Sequence, residues 1–292
     1  MNTMESIRIL RRTASPLLLC VTLAACRGLV PHGPIDSGLA AFVPPDAQAL
    51  AGVRIDRIRA TPLYRKIAAR NRLPAFPEFR AESGIDPDRD LQDVLLASDG
   101  KSVLAIARGT FPAKPPGELS GGGRPAIAFV GTHTALAGPA PVVRAALDRY
   151  RSGRHSAPRD LLARVEALPG DSQIWAVTLG WSGASAEALG EMGNAANLDR
   201  ILRSVESASL TADLRAGLHA TATGDCRTDQ DAKTLAESLQ ALLALARASV
   251  STRQPDMEHV FAGVRVTQAA RSVKVTFEVP EDLAEKLVDG LP

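Results

Sequence analysis

The sequence predicts an α+β fold made of two similar lobes, each a mainly antiparallel sheet with helices on one face, related by an internal duplication. Three observations predict it. Short segments alternate apolar and polar residues: in "SVKVTFEV", Val273, Val275, Phe277 and Val279 fall on one side of a strand and Lys274, Thr276 and Glu278 on the other. Longer segments place apolar residues at i, i+1, i+4, i+5 and i+8, the stripe of an amphipathic helix. Three stretches of the first half recur in the same order in the second.

The elements follow in chain order. "DAQALAGVRI" (46–55) matches "DSQIWAVTLG" (171–180) without a gap; both begin Asp-x-Gln and become strand-like. A helical segment follows each, Pro62 to Arg70 and Ser185 to Gly193. "VLLAS" (94–98) lies over "VESAS" (205–209). The first copy then turns at Asp99-Gly100, a favoured two-residue hairpin loop, and the second through the longer "LTADLRAG". The return strands are "VLAIARG" (103–109) and "LHATATG" (218–224).

The middles differ. The first copy has "FPAKPPGELSGGGR" (111–124), a loop by composition. The second has a helix over 229–249, with Thr228 and Asp231 at its N-terminal cap and Ala232, Leu235, Ala236 and Leu239 on its apolar face. "TALAGPAPVVRAALDRY" and "VTFEVPEDLAEKLVDGL" close the copies at an offset of 141, with Pro139 over Pro280 at the strand-to-helix junction. Their stripes are Val142, Val143, Ala146, Leu147 and Tyr150, and Leu283, Ala284, Leu287, Val288 and Leu291. Each lobe thus reads β-α-β-β-(helix or loop)-β-β-α. The first spans 46–151 and the second 171–292, joined by the connection 152–170.

Ahead of the lobes, "MNTMESIRILRR" carries Arg8, Arg11 and Arg12 against Glu5, and "TASPLLLCVTLAA" is an uncharged apolar run too short to span a bilayer. Residues 1–25 therefore read as a secretory signal peptide. "LAAC", Leu23 to Cys26, resembles the lipobox of bacterial lipoprotein precursors. The resemblance implies cleavage after Ala25, a lipidated Cys26 and a membrane anchor. Arg27 rather than Asp follows the cysteine, which in such lipoproteins implies the outer membrane of a two-membrane bacterium. Arg11-Arg12 leaves twin-arginine export as a minor alternative, because Thr13-Ala14-Ser15 is not the apolar continuation that route favours. Residues 26–45, rich in Pro and Gly, read as the lipidated cysteine and a flexible tether.

Removing 1–25 changes the charge balance. That segment holds three of the 34 basic and one of the 32 acidic residues, so 31 of each remain and the mature chain has no formal net charge. Nucleic acid is thereby not an expected partner. The expected partners are the membrane, through the anchor, and an envelope protein or small apolar ligand. Cys226 is the one cysteine left besides Cys26, so no internal disulfide is expected; its place at the end of a strand suits a small buried apolar residue.

Two motifs invite chemistry. "GWSGA" places Ser182 between a strand and a helix, where a hydrolase nucleophile sits, but Ala184 breaks the Gly-x-Ser-x-Gly pattern; Asp256 and His259 follow in suitable chain order. "DPDRDLQD" puts Asp86, Asp88 and Asp90 at the first calcium-loop positions, yet Leu91 replaces the Gly at position 6 and Ala97 the Glu at position 12. No histidine pair has zinc spacing, and no cofactor is expected. "SGIDPDRDLQDVL" after "FVPPDAQALAGVRI" is similar to uncharacterised exported bacterial proteins, a likeness over the first third that implies no activity. The expected function is a membrane-anchored envelope lipoprotein acting as a non-enzymatic interaction or ligand-binding module. A cell-envelope serine hydrolase using Ser182 is the alternative. A dry apolar groove favours the binder, and a cleft of converging ionisable groups favours the enzyme.

Overall fold

The structure is a computed structural model that describes residues 33–69, 80, 85–111, 126–154, 157–180, 202–249 and 255–289. The alternating segments form ten strands: β1 (Ala49–Arg54), β2 (Leu91–Ser98), β3 (Val103–Gly109), β4 (Ala126–Val130), β5 (Thr134–Gly138), β6 (Ile174–Leu179), β7 (Val205–Asp213), β8 (Leu218–Cys226), β9 (Val264–Ala269) and β10 (Ser272–Val279). The helices are α1 (Ser37–Ala40), α2 (Ile55–Arg59), α3 (Pro62–Ala69), α4 (Pro87–Asp90), α5 (Ala140–Arg151), α6 (Arg159–Glu166), α7 (Asp229–Ser249), α8 (Pro255–Ala262) and α9 (Glu281–Asp289). The mixed α and β content and the antiparallel pairing agree with the sequence. The two separate lobes do not. All ten strands join in one sheet of order β4-β5-β3-β2-β1-β6-β7-β8-β10-β9.

The seam is β1 against β6. There Ala51 faces Ala176, and Gly52 faces Trp175. Outward from the seam, the strand order β1-β2-β3-β5-β4 is repeated as β6-β7-β8-β10-β9. A register irregularity lies between Leu91 and Asp93 where β2 pairs with β3, and another between Val205 and Ser207 where β7 pairs with β8. Setting Ala51 on Ala176 and following the ladders places Leu91 on Val205. The sequence match of 94–98 with 205–209 is therefore three residues out of register. An odd slip moves every side chain to the other face of a strand, which an ungapped comparison of Ala-rich segments cannot detect.

Faces can be followed across the ladders, because paired residues share a side. Leu50, Leu95, Ala97, Leu104, Ile106, Leu136, Trp175 and Val177 lie on one face and are buried in one cluster with Val143 and Ala146 of α5 and Leu161 and Val165 of α6. In the second half the buried side is the other one. Val205, Cys226 and Val273 pack under Ala232, Leu235 and Ala236 of α7, and Val279 packs with Val260 of α8, Leu283 and Ala284 of α9 and Leu63 of α3. The expectation of helices on one face is thus corrected. The main buried faces at the two ends of the sheet are opposite, because the apolar alternation of β10 is shifted by an odd number of residues relative to β5; behind the first of them, Ala135 is also buried, with Ile85 and Phe111.

Local expectations fare unevenly. Asp231 N–H donates to Thr228 Oγ1 at 3.0 Å and Thr228 donates to Asp231 Oδ2 at 2.8 Å, so the expected cap of the helix over 229–249 forms. Pro139 and Pro280 both stand between a strand and a helix. Val143 and Ala146 are buried, Leu147 is half-buried and Asp148 is exposed; the side chains of Leu287, Val288 and Asp289 lie outside the described residues, as does Leu291. The β2–β3 turn is not a two-residue loop. Ser98 pairs with Val103, and Asp99 Oδ1 accepts from Lys101 N–H at 2.8 Å and Ser102 N–H at 2.7 Å, which closes a four-residue turn with Gly100 at φ 85°.

The tether is shorter than expected. A compact unit begins at Gly33. Asp36 caps α1, and Leu39, Phe42 and Val43 are buried in the first cluster. Pro and Gly make up seven of the twenty residues 26–45, but these three apolar residues bind its second part to the sheet. The connection 152–170 likewise contains α6, whose Leu161 and Val165 are fully buried.

Gly52 sets the first prediction. A Cβ at this position would lie 2.2 Å from Trp175 Cε2. Gly52→Ala is expected to lower stability by about 1–3 kcal/mol or more, read from the urea midpoint, since β1 cannot move from the ring without leaving β6.

Candidate functional site

The side of the central strands opposite α5 and α6 carries Ala49 and Ala51 from β1, Leu96 from β2, Val103 from β3, Ala176 and Thr178 from β6, Leu210 from β7 and Ala222 from β8. Together they line a groove of about 450 Å³. Cross-strand pairs of small residues, Ala51 with Ala176 and Ala49 with Thr178, make its floor low. Leu96, Val103 and Leu210, exposed by 39%, 49% and 39%, rise from it.

This exposure is not the general state of the sheet's uncovered surface. The uncovered face of the second half carries Ser209, Thr211, Thr221, Thr223, Lys274 and Thr276, as alternation predicts for a strand side in water. Along the groove, Ala, Leu and Val take most of the places that alternation gives to polar residues, with Ser98 and Thr178 among them. The signal lies in "ALAGVR" and "IWAVTL", where Ala49, Ala51 and Ala176 take places that alternation gives to polar residues; alanine does not register strongly as either class, so the chain alone does not reveal it.

A second concavity, of about 250 Å³, lies on the helix-covered face beside Asp36, Arg54, Asp93, Arg108 and Trp175. Asp93 is buried and bonded to the Arg108 guanidinium, which also donates to Asp36 at 3.0 Å; Arg54 Nε stands 3.8 Å from Asp93. Burial disfavours the Arg108 cation, but its bond to Asp93 outweighs this and raises its pKa. Asp36 belongs to the segment before β1, so this cluster fastens that segment to β2 and β3.

Ser182 lies outside the described residues. Asp256 on α8 pairs with Lys286 of α9 at 3.1 Å. Asp86 accepts from Asp88 N–H at 3.2 Å and pairs with Arg80 at 3.1 Å, while Asp90 accepts from Asp86 N–H at 2.8 Å and from Arg89 Nε at 2.7 Å. These carboxylates serve turns and arginines. Among the described residues no three His, Cys, Asp or Glu side chains converge as a metal site, and no helix is long and apolar enough to cross a membrane. Cys26 also lies outside the described residues. Cys226 is buried, and burial raises its thiol pKa, so it stays protonated and unreactive at neutral pH.

No family model matches the chain, and no curated protein matches it. A solved structure, crystal form I of TP0453, aligns with 87% of this chain and 98% of its own at 9% identity and a TM-score of 0.45, a likeness too slight to carry an argument.

Asp90 gives a pH prediction. The bond from Arg89 holds its carboxyl below the usual range, assisted by Asp86 N–H and opposed by burial. The unfolded chain therefore binds the proton more readily. The stabilisation is present above the unfolded carboxyl pKa of about 4 and is lost as pH falls through the lower folded value. Asp90→Asn is expected to lower stability by about 1–2 kcal/mol at pH 7. Denaturation midpoints of variant and parent should converge as the pH falls through the lowered folded pKa of Asp90.

Proposed function

We propose that the protein is a membrane-anchored envelope lipoprotein, held through Cys26, whose groove over β1, β2, β6 and β7 binds a small apolar ligand without catalysing a reaction on it. The groove carries the reading: an uncovered strip of Ala, Leu and Val beside an uncovered strip of Ser, Thr and Lys on the same sheet. A stable protein partner needs roughly 800 Å² on each side, far more than three exposed large side chains provide. A volume of about 450 Å³ falls in the range of small-ligand sites. Its lining offers no convergent ionisable groups for acid–base work. We also read the halves as copies of one unit, on the repeated strand order and the matching irregularities, with the inverted buried face as their divergence.

Binding is tested with the neutral fluorophore N-phenyl-1-naphthylamine. Ala176→Asp and Leu210→Lys should weaken its affinity at least about tenfold, because a charge must then be desolvated with the probe, with the circular dichroism spectrum unchanged. Equal binding by parent and variants, or none by the parent, would sink the groove as a ligand site. Ester or amide hydrolysis abolished by Ser182→Ala would overturn the non-enzymatic part. The anchor has its own test. Cys26→Ser should move the mature chain from the outer-membrane fraction to the soluble fraction, and an unchanged distribution contradicts lipid attachment.

A further inference from the structure

We infer that the arginine-bearing surface of α5 and α6 lies against an anionic phospholipid surface, that of the membrane holding Cys26. This rests on the lipid-anchor reading above. It starts from where the folded chain begins. A Cβ on Gly33 would lie 2.8 Å from Glu166 Cα and 2.9 Å from Val165 O, so the chain enters against the last turn of α6. Further on, the Phe42 ring stacks on Tyr150, in the last turn of α5, with centroids 4.4 Å apart. The entering segment is thus in contact with both helices. Seven residue steps separate Cys26 from Gly33, and seven steps span at most about 25 Å whatever their conformation. An anchor at Cys26 therefore keeps this end of the domain near the bilayer.

The charge there suits such a surface. Residues 140–170 carry six arginines against three acids, Asp148, Asp160 and Glu166, whereas the rest of the chain after residue 25 carries 25 basic residues against 28 acidic ones. Arg164 is paired with Asp225 at 3.1 Å. Arg151, Arg154 and Arg159 are exposed, and the pair of Arg151 with Asp148 is long, at 3.8 Å. Arg159 opens α6 and Glu166 closes it, a separation of about 10 Å along the axis. The three exposed cations and the entry point are thus on neighbouring turns. Cations within a Debye length of an anionic leaflet each favour contact about fivefold. The groove is on the opposite face of the sheet from α5 and α6, so this contact turns the groove away from the bilayer and leaves it open.

The test uses the full mature lipoprotein in vesicles of phosphatidylcholine alone, or of phosphatidylcholine with about one-third phosphatidylglycerol. A dye on Ser152→Cys reports energy transfer to a headgroup-labelled acceptor lipid, and a dye on Thr267→Cys, at the β9 edge, serves as the distant reference. Cys226 is buried and does not compete for the label. Expected is stronger transfer from position 152 in the phosphatidylglycerol vesicles. It should fall to the phosphatidylcholine level in about 1 M salt and in the triple variant Arg151→Gln, Arg154→Gln, Arg159→Gln, while position 267 does not respond. Transfer from position 152 that ignores lipid composition, or that survives the triple variant, assigns the arginines elsewhere and overturns the inference with the anchor intact. An N-terminal peptide without lipid on Cys26, with protein washing off both vesicle types, overturns the anchor reading and this inference with it.

Discussion

The sheet depends on one cross-strand pair. Trp175 lies over Gly52, where a Cβ would sit 2.2 Å from the ring, and is 2% exposed. A tryptophan buries on the order of 200 Å², and here it can do so only because its ladder partner has no side chain. The pair lies in the one ladder that joins the halves, β1 with β6. Ladder hydrogen bonds alone do not select a register, since a slip by one residue keeps the bonds but turns every side chain over. The ring in the glycine gap selects it. Leu50 and Val177, the next pair on the same face, fall into the same cluster.

From that seam the two halves diverge. The first buries the Leu50–Trp175 face under α5, α6 and the segment from Gly33; the second buries the Val205–Val273 face under α7. Were both halves covered on the same side, the other side would be one broad wet face, and alternation would make it polar. With opposite sides covered, part of each remaining half-face is left uncovered. One carries Ser and Thr. The other, over the seam, carries Ala, Leu and Val. The groove therefore lies beside the strongest constraint in the fold, and its floor is as rigid as the β1–β6 ladder.

The segment before β1 performs a second joining task. Asp36 meets Arg108, which holds the buried Asp93, and Leu39, Phe42 and Val43 fill the cluster beneath α5 and α6. What composition marks as tether is partly a strap.

By itself the sequence determined what depends on local pattern. Alternation in "SVKVTFEV" is enough for a strand, Thr228 with Asp231 for a helix start, and Pro139 and Pro280 for strand-to-helix junctions, because period, capping and proline geometry act within a few residues. The order of elements in each half was legible for the same reason. Which strands meet across the seam was not. Nothing local to "DAQALAGVRI" or "DSQIWAVTLG" states that they pair with each other, and the space between Gly52 and Trp175 exists only after they do. Register between the matched segments was illegible too, since Ala-rich segments match at odd and even offsets alike. The groove follows from both. Alanines at 49, 51, 176 and 222 are unremarkable along the chain and become an apolar floor only when four strands set them side by side with no helix of the described residues lining the space above. Only tertiary structure decides this, because burial belongs to the faces that pairing creates.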